Sequence, residues 1–387
     1  MKFGKLKFNI FLLLIVLISF QFSYWGLQPS LYDVLRLIIT TLIIILFMII
    51  LKENYKNLIG VKFFRQFFLL LFIQLIILLF LSIFHSDIKF SLMRDVSISL
   101  IILLISYSMP LKEKERNNLN LAFLVSITIS ALTIIQHYAS GFVINELYFP
   151  IPKNQLAPVF GSGAIVGFYN FFKIKNKKKY IYLVCSILLF MSILVIRGRS
   201  VIMSVIVCLL ILMFFYIKSL KIKLYFLFAS VILIALLWPL IYNSLFLNYD
   251  INDIDSISTG RSATYNEAFS LILNYPFFGE FEYIKYNEYT THNYILNLLV
   301  KFGIILCIPL LLIYFKIIIK VISGILQNSF KEIESGLLLM LMLFFVSMFE
   351  YSYPFSPVSA TIFPFFMFGQ ILYFKDRKRL QIKFSAK

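Results

Sequence analysis

Apolar runs about as long as a bilayer is thick recur from one end of this chain to the other. A helix needs about 17–25 mostly apolar residues to cross a ~30 Å hydrocarbon core. Twelve runs approach that length: about 8–25, 36–51, 66–84, 96–110, 119–136, 155–172, 180–196, 200–217, 224–242, 293–315, 336–350 and 357–374. A soluble chain of 387 residues builds a core without so many. At 61% hydrophobic and 14% charged, this one lies outside the composition of soluble globular domains. The expected fold class is all-α, a polytopic membrane protein with about twelve transmembrane helices. The first run follows MKFGKLK in the manner of a signal peptide. No small-residue cleavage site follows it, however, and more runs do, so it is taken as a helix.

The formal charge of +18 points to nucleic acid only if its distribution is ignored. With the N-terminus inside, alternate connections hold 27 of the 36 Lys and Arg residues, including five between Lys173 and Lys179 and six from Lys375 onward. The other connections hold eight basic and twelve acidic residues. That asymmetry is the positive-inside signature, and it places both termini in the cytoplasm. Nucleic acid is therefore not an expected partner; the lipid bilayer is. Cys185, Cys208 and Cys307 all lie within apolar runs and suggest neither a disulfide framework nor a metal site. No internal repeat or low-complexity linker divides residues 1–387, which read as a single transmembrane domain.

Only one connection is long enough for structure of its own: the extracytoplasmic loop 243–292 between the ninth and tenth runs. Within it, Ser262–Leu273 has a weak helical pattern that Asn274-Tyr275-Pro276 should end, because proline disfavours the α region for the residue before it. The loop closes on His292 and Asn293. Histidine near neutral pH is the best available general base, and Glu280, Glu282 or Glu288 could orient it. An amphipathic histidine resting at the interface is the plainer alternative. His85 and His137 have no comparable polar company and read as surface residues.

Arg197 and Arg199 flank a tight turn on the arginine-poor side. They either snorkel from helix ends or grip a pyrophosphate with their forked donors. Arg261 is a third arginine on that side, solvated by default. Tyr275, Tyr283, Tyr286 and Tyr289 suit both an interfacial belt and sugar stacking. Lys301 lies about 13 Å of helix beyond His292 and either approaches a phosphate or snorkels. Asp250, Asp253 and Asp255 are too loosely spaced for a metal loop and read as solvated; no metal or other cofactor is expected.

Three stretches carry a resemblance: Pro152–Ala157 (PKNQLA), Arg197–Ser200 (RGRS), and Arg261–Ile304. The last contains an arginine, a helix, the turn Asn274-Tyr-Pro-Phe-Phe-Gly279, then His292-Asn293 before a Leu-rich run with Gly303-Ile304. The chain resembles the O-antigen ligase and O-antigen polymerase superfamily of bacterial polysaccharide assembly. It departs from the family pattern at Tyr265, where an aromatic, often Trp, is common, and at Phe281, where a second glycine is common. The resemblance implies metal-independent, inverting glycosyl transfer at the outer face of the cytoplasmic (inner) membrane. The donor would be an oligosaccharide on undecaprenyl pyrophosphate, destined for O-antigen, lipopolysaccharide or capsule. His292 would activate the acceptor, and Arg199 and Arg261 would hold the pyrophosphate. Arg197, Asn293, Tyr286, Tyr289 and Lys301 would bind substrate. A flippase and a chain-length regulator of the same pathway are the implied protein partners. The short loops favour a polymerase over a ligase acting on lipid A-core. A transporter is the more distant alternative, disfavoured because the polar residues gather at one face instead of the midplane.

The topology is directly testable. With the native cysteines replaced by serine, single cysteines at Ser256 and Ser385 should respond oppositely to an impermeant thiol reagent in intact cells, only the first reacting. Labelling of the tail position from outside overturns the orientation.

Overall fold

The computed structural model describes residues 2–84, 91–139, 153–217, 261–279, 291–327, 334–356 and 358–385, with isolated positions between 219 and 235. All regular structure among them is helical. In chain order the helices are α1 (Lys2–Gln21), α2 (Pro29–Gly60), α3 (Lys62–Phe84), α4 (Ser91–Ser108), α5 (Glu113–Ala139) and α6 (Lys153–Lys173). They continue with α7 (Lys179–Val195), α8 (Arg199–Tyr216), α9 (Arg261–Asn274), α10 (Tyr294–Gln327), α11 (Ser335–Ser347) and α12 (Val358–Ser385). Every expected apolar run except the ninth, which falls largely outside the described residues, coincides with one of these helices. Among the described residues five helices are long and apolar enough to cross a membrane, and three shorter apolar ones accompany them. The chain is a multi-pass membrane protein.

Burial follows each helix's pattern of side chains. α11 is apolar all round and almost wholly buried, packed between α8, α10 and α12. α6 is buried nearly as completely, against α5, α7, α8 and α11, and Gly161, Ser162, Gly163 and Gly167 let those helices come close. α3, by contrast, exposes Leu69, Phe72, Ile76 and Phe80 on a continuous apolar face. Soluble proteins do not leave such a face in water; here it meets lipid tails. α4 and α12 are joined by a polar clamp. Gln370 Nε2 donates to the carbonyls of Ser106 (2.7 Å) and Met109 (2.9 Å), and its Oε1 accepts from Leu111 N–H (2.8 Å). One amide thereby gives partners to backbone groups at the end of α4, where intrahelical bonds run out.

Several helices outrun the apolar runs that announced them. α10 continues through Lys316 and Lys320 to Gln327, although the tenth run stops near residue 315. Lysine is a good helix former, so the helix passes on while the apolar run ends. Lys316 donates to Gln66 Oε1 (2.9 Å), and the Lys320 ammonium lies 5.4 Å from the Phe63 ring centroid. Apolar content marks the membrane boundary, and helix ends are set separately.

The sharpest departure from expectation is inside α10, which is broken at Gly303 (φ 65°, ψ 178°), a conformation open essentially to glycine alone. The break frees backbone amides, and the turn after α9 takes them. Ile304 N–H donates to Pro276 O (2.7 Å) and Ile305 N–H to Phe277 O (3.2 Å). Gly279 (φ 60°) ends that turn so close to α10 that a Cβ there would stand 2.5 Å from Gly303 N and from Val300 O. The Asn-Tyr-Pro-Phe-Phe-Gly turn and the distant Gly-Ile are thus two halves of one joint.

Gly303→Ala should break this joint, adding about 1–3 kcal/mol of backbone strain to a clash with Phe278 N, which a Cβ would approach to 2.5 Å. A melting temperature in detergent several degrees lower, with transfer activity lost, is expected. Ile304→Ala, at a side chain 47% exposed, should be nearly silent. Equal melting of the two variants contradicts the joint.

Candidate active site

The joint places α9 beside the head of α10, and the polar residues of both gather there. Asn293 caps α10: its Oδ1 accepts from Leu296 N–H (3.0 Å), and its carbonyl accepts from Asn297 N–H (2.9 Å). Its Nδ2 reaches across to Met348 O (3.1 Å), at the end of α11. The Tyr265 hydroxyl on α9 lies 3.2 Å from both Met348 O and His292 O, bridging the same two segments. Burial, above all, pushes the Tyr265 hydroxyl up; Arg261 opposes the shift and Glu350 adds to it. It therefore stays protonated and donates. Thr291, fully buried, donates to Asn293 O (2.9 Å) and fixes the approach to the helix.

These bonds hold His292 in place while leaving its side chain 37% exposed. Facing it is Glu350, in the segment after α11, whose side chain is only 6% exposed. Arg261 Nη2 donates to Glu350 Oε1 at 3.0 Å. His292 Nδ1 lies 4.0 Å from Glu350 Oε2, beyond a hydrogen bond but well within Coulomb range. One buried carboxylate thus stands between a guanidinium and an imidazole. Arg261 Nε is also buried and has no hydrogen-bond partner among the described residues. Losing one member of a buried pair strands the other charge, a cost of about 3–5 kcal/mol. The hydroxyl of neighbouring Tyr351 is raised by burial first and by Glu350 second.

Of the residues singled out from sequence, His292, Asn293 and Arg261 come together here. Arg197 and Arg199 stand at the same end of the bundle, connected through α6. Gly198, between them, packs so tightly on α6 that a Cβ would meet Ala157 Cβ at 2.5 Å. Two residues earlier, the carbonyl of Gln155 accepts from Tyr353 Oη (3.4 Å), three residues past Glu350. Arg197 is exposed and has φ 58°, unusual for a residue with a Cβ, at a cost of about 1–3 kcal/mol; Arg199 is half-buried at the first turn of α8. Lys301, half-buried, lies two residues before the break, under the turn that ends at Gly279.

Tyr283, Tyr286, Tyr289, the three candidate orienting glutamates (Glu280, Glu282, Glu288), His85 and Asp250, Asp253 and Asp255 lie outside the described residues, as does most of the loop 243–292. Among the described residues no three His, Cys, Asp or Glu side chains gather as a metal site would require. His137, expected at the surface, is half-buried: its ring stacks on Tyr24 at 3.4 Å between centroids, with Nδ1 2.7 Å from Thr133 O. The three cysteines are free thiols.

Glu350 was missed. Its sequence signal was faint: a lone carboxylate where an apolar run meets the Tyr- and Pro-containing segment Tyr351–Pro357. Nothing local linked it to Arg261, 89 residues away.

Residues 184–311 match the family model described as O-Antigen ligase. The matched segment runs from α7 into α10 and contains Arg197, Arg199, Arg261, His292 and Lys301, while Glu350 lies beyond it. No curated protein matches the chain. By that match residues 184–311 carry an O-antigen ligase domain, which supports the resemblance to the O-antigen ligase and polymerase superfamily.

Proposed function

We propose that this protein is a membrane glycosyltransferase that polymerises oligosaccharide repeat units carried on a polyprenyl pyrophosphate, undecaprenyl in kind. It would work at the outer face of the cytoplasmic membrane, with twelve spans and both termini inside. The observation that carries this reading is the Arg261–Glu350–His292 group at one end of an apolar bundle. A base beside a fixed cation, at a membrane surface, suits attack by a sugar hydroxyl on a lipid-linked donor.

In the proposed step an acceptor hydroxyl oxygen attacks the anomeric carbon of the donor sugar. The bond from that carbon to the pyrophosphate oxygen breaks, and the configuration inverts. The hydroxyl proton passes to His292. Nδ1 is turned to Glu350, and in this scheme the imidazole takes the proton at Nε2. As the imidazole takes the proton, the Glu350 carboxylate balances its new charge. The departing polyprenyl pyrophosphate keeps the bonding electrons, and Arg261 and Arg199 hold its growing negative charge in place of a divalent cation. Arg197, Asn293 and Lys301, with Tyr286 and Tyr289 of the loop, would line the substrate path.

A ligase is the second reading, favoured by the description of the matching family. Short connections between most helices, with little room for a dedicated acceptor-binding domain, favour the polymerase.

Purified protein given only the lipid-linked repeat unit should form a ladder of longer glycans without added metal, and in EDTA. One product, formed only when lipid A-core is supplied, would make it a ligase. His292→Ala should abolish either product while leaving the protein in the membrane. Arg199→Lys and Arg261→Lys should each lose roughly 10–150-fold, because a point charge cannot reproduce a fork worth about 1.5–3 kcal/mol. Arg197→Lys should be milder. Near-normal transfer by both variants removes the pyrophosphate clamp from the account.

A further inference from the structure

We infer that the end of the bundle remote from His292 contains a binding site for the phosphodiester headgroup of an anionic membrane phospholipid. Lys320 follows Tyr294 by 26 residues, about 39 Å of helix, so this end lies across the membrane from the candidate active site. There α10, α11 and α12 enclose a partly open cavity of about 40 Å³. By that measure a water needs about 10–15 Å³, so the space holds roughly three waters, or the oxygens of one phosphate. It does not hold a sugar ring or an acyl chain.

The lining divides into two halves. Leu337, Phe368 and Ile371 form apolar walls. Polar residues line the rest: Lys320, Lys375, Gln327 and Ser323, whose hydroxyl donates to Lys320 O (3.2 Å). Among the described residues Asp376 is the single carboxylate in the lining, and its Oδ2 accepts from the Tyr107 hydroxyl at 3.2 Å. The described lining residues thus carry two positive charges against one negative, matching a singly charged phosphodiester. A site for a metal cation would need the opposite balance.

Both lysines are positioned by their surroundings. The Lys320 ammonium stands over the Phe63 ring of α3. Lys375 Nζ lies over bare backbone at Gly324, 3.5 Å from where a Cβ would be. Beside the cavity, α10 exposes Ile319, Ile322 and Leu326 (61%, 44% and 78%). A headgroup seated between the lysines would lay its acyl chains along that face. Basic pockets between transmembrane helices recognise anionic headgroups in this way. Free inorganic phosphate shares the polar half of the chemistry but cannot use the apolar face.

The test uses the full-length protein, delipidated in detergent, and reads thermal unfolding with added dioleoylphosphatidylglycerol, dioleoylphosphatidylcholine or inorganic phosphate. A ligand that binds only the folded state raises the melting temperature with concentration. The expected result is a saturable rise with phosphatidylglycerol alone. The variant Lys320→Ala/Lys375→Ala should weaken apparent affinity about tenfold or more, whereas Lys316→Ala, outside the cavity, should not. Should the double variant fold poorly, Ser323→Leu fills the space without changing charge and should have the same effect. Equal stabilisation by phosphatidylcholine, full stabilisation by phosphate alone, or an undiminished response in both cavity variants overturns the site.

Discussion

The two hydrogen bonds from Ile304 and Ile305 to the carbonyls of Pro276 and Phe277 are what the site depends on. A backbone amide facing hydrocarbon without a partner costs several kcal/mol, so helices at membrane depth are seldom broken unless protein fills the gap. Here the break at Gly303 creates the need, and the turn after α9 meets it. The consequence reaches well beyond the joint. α9 carries Arg261 at its first residue and ends in the docking turn, while α10 begins immediately after His292. Fixing one end of α9 against α10 fixes the arginine relative to the histidine. Neither residue needs a rigid loop between them, because each is anchored by its own helix.

Glu350 turns that positioning into an electrostatic arrangement. Its burial makes an isolated negative charge costly, and Arg261 relieves the cost with a direct hydrogen bond at 3.0 Å. The same carboxylate faces the imidazole. A group that holds the cation and can balance a proton on the base couples the leaving-group side of the proposed reaction to the acceptor side. Tyr265 and Asn293 reinforce this by tying the His292 segment to the end of α11, from which Glu350 emerges two residues later.

Much of this was legible in the sequence, for physical reasons that also explain what was not. Runs of apolar residues marked the helices because a helix spanning lipid must be apolar along its length. The stop at Asn274-Tyr275-Pro276 was legible because proline acts on its immediate neighbour: the helix expected over Ser262–Leu273 is observed as Arg261–Asn274. His292 and Asn293 stood out as polar residues at the edge of such a run, and Arg261 through the family resemblance. Glu350 did not, since its meaning lies in partners that only the packing of α9, α10 and α11 brings near. The break at Gly303 was hidden for a similar reason. Within a Leu- and Ile-rich run a single glycine signals at most a weaker helix, and only the distant turn shows why the helix opens there. α10 runs on past its apolar run to Gln327 because lysines that leave the membrane still extend a helix.

Glu350 and His292 are proposed to act as one unit, and a double-mutant cycle on transfer rate measures that coupling directly. Glu350→Gln, His292→Ala and the double variant would be compared with the wild type, using purified lipid-linked donor. Residues that act together are strongly non-additive, so the double variant should be barely slower than His292→Ala alone. If instead the two losses multiply, the carboxylate and the imidazole act independently, and the arrangement proposed for this site is wrong.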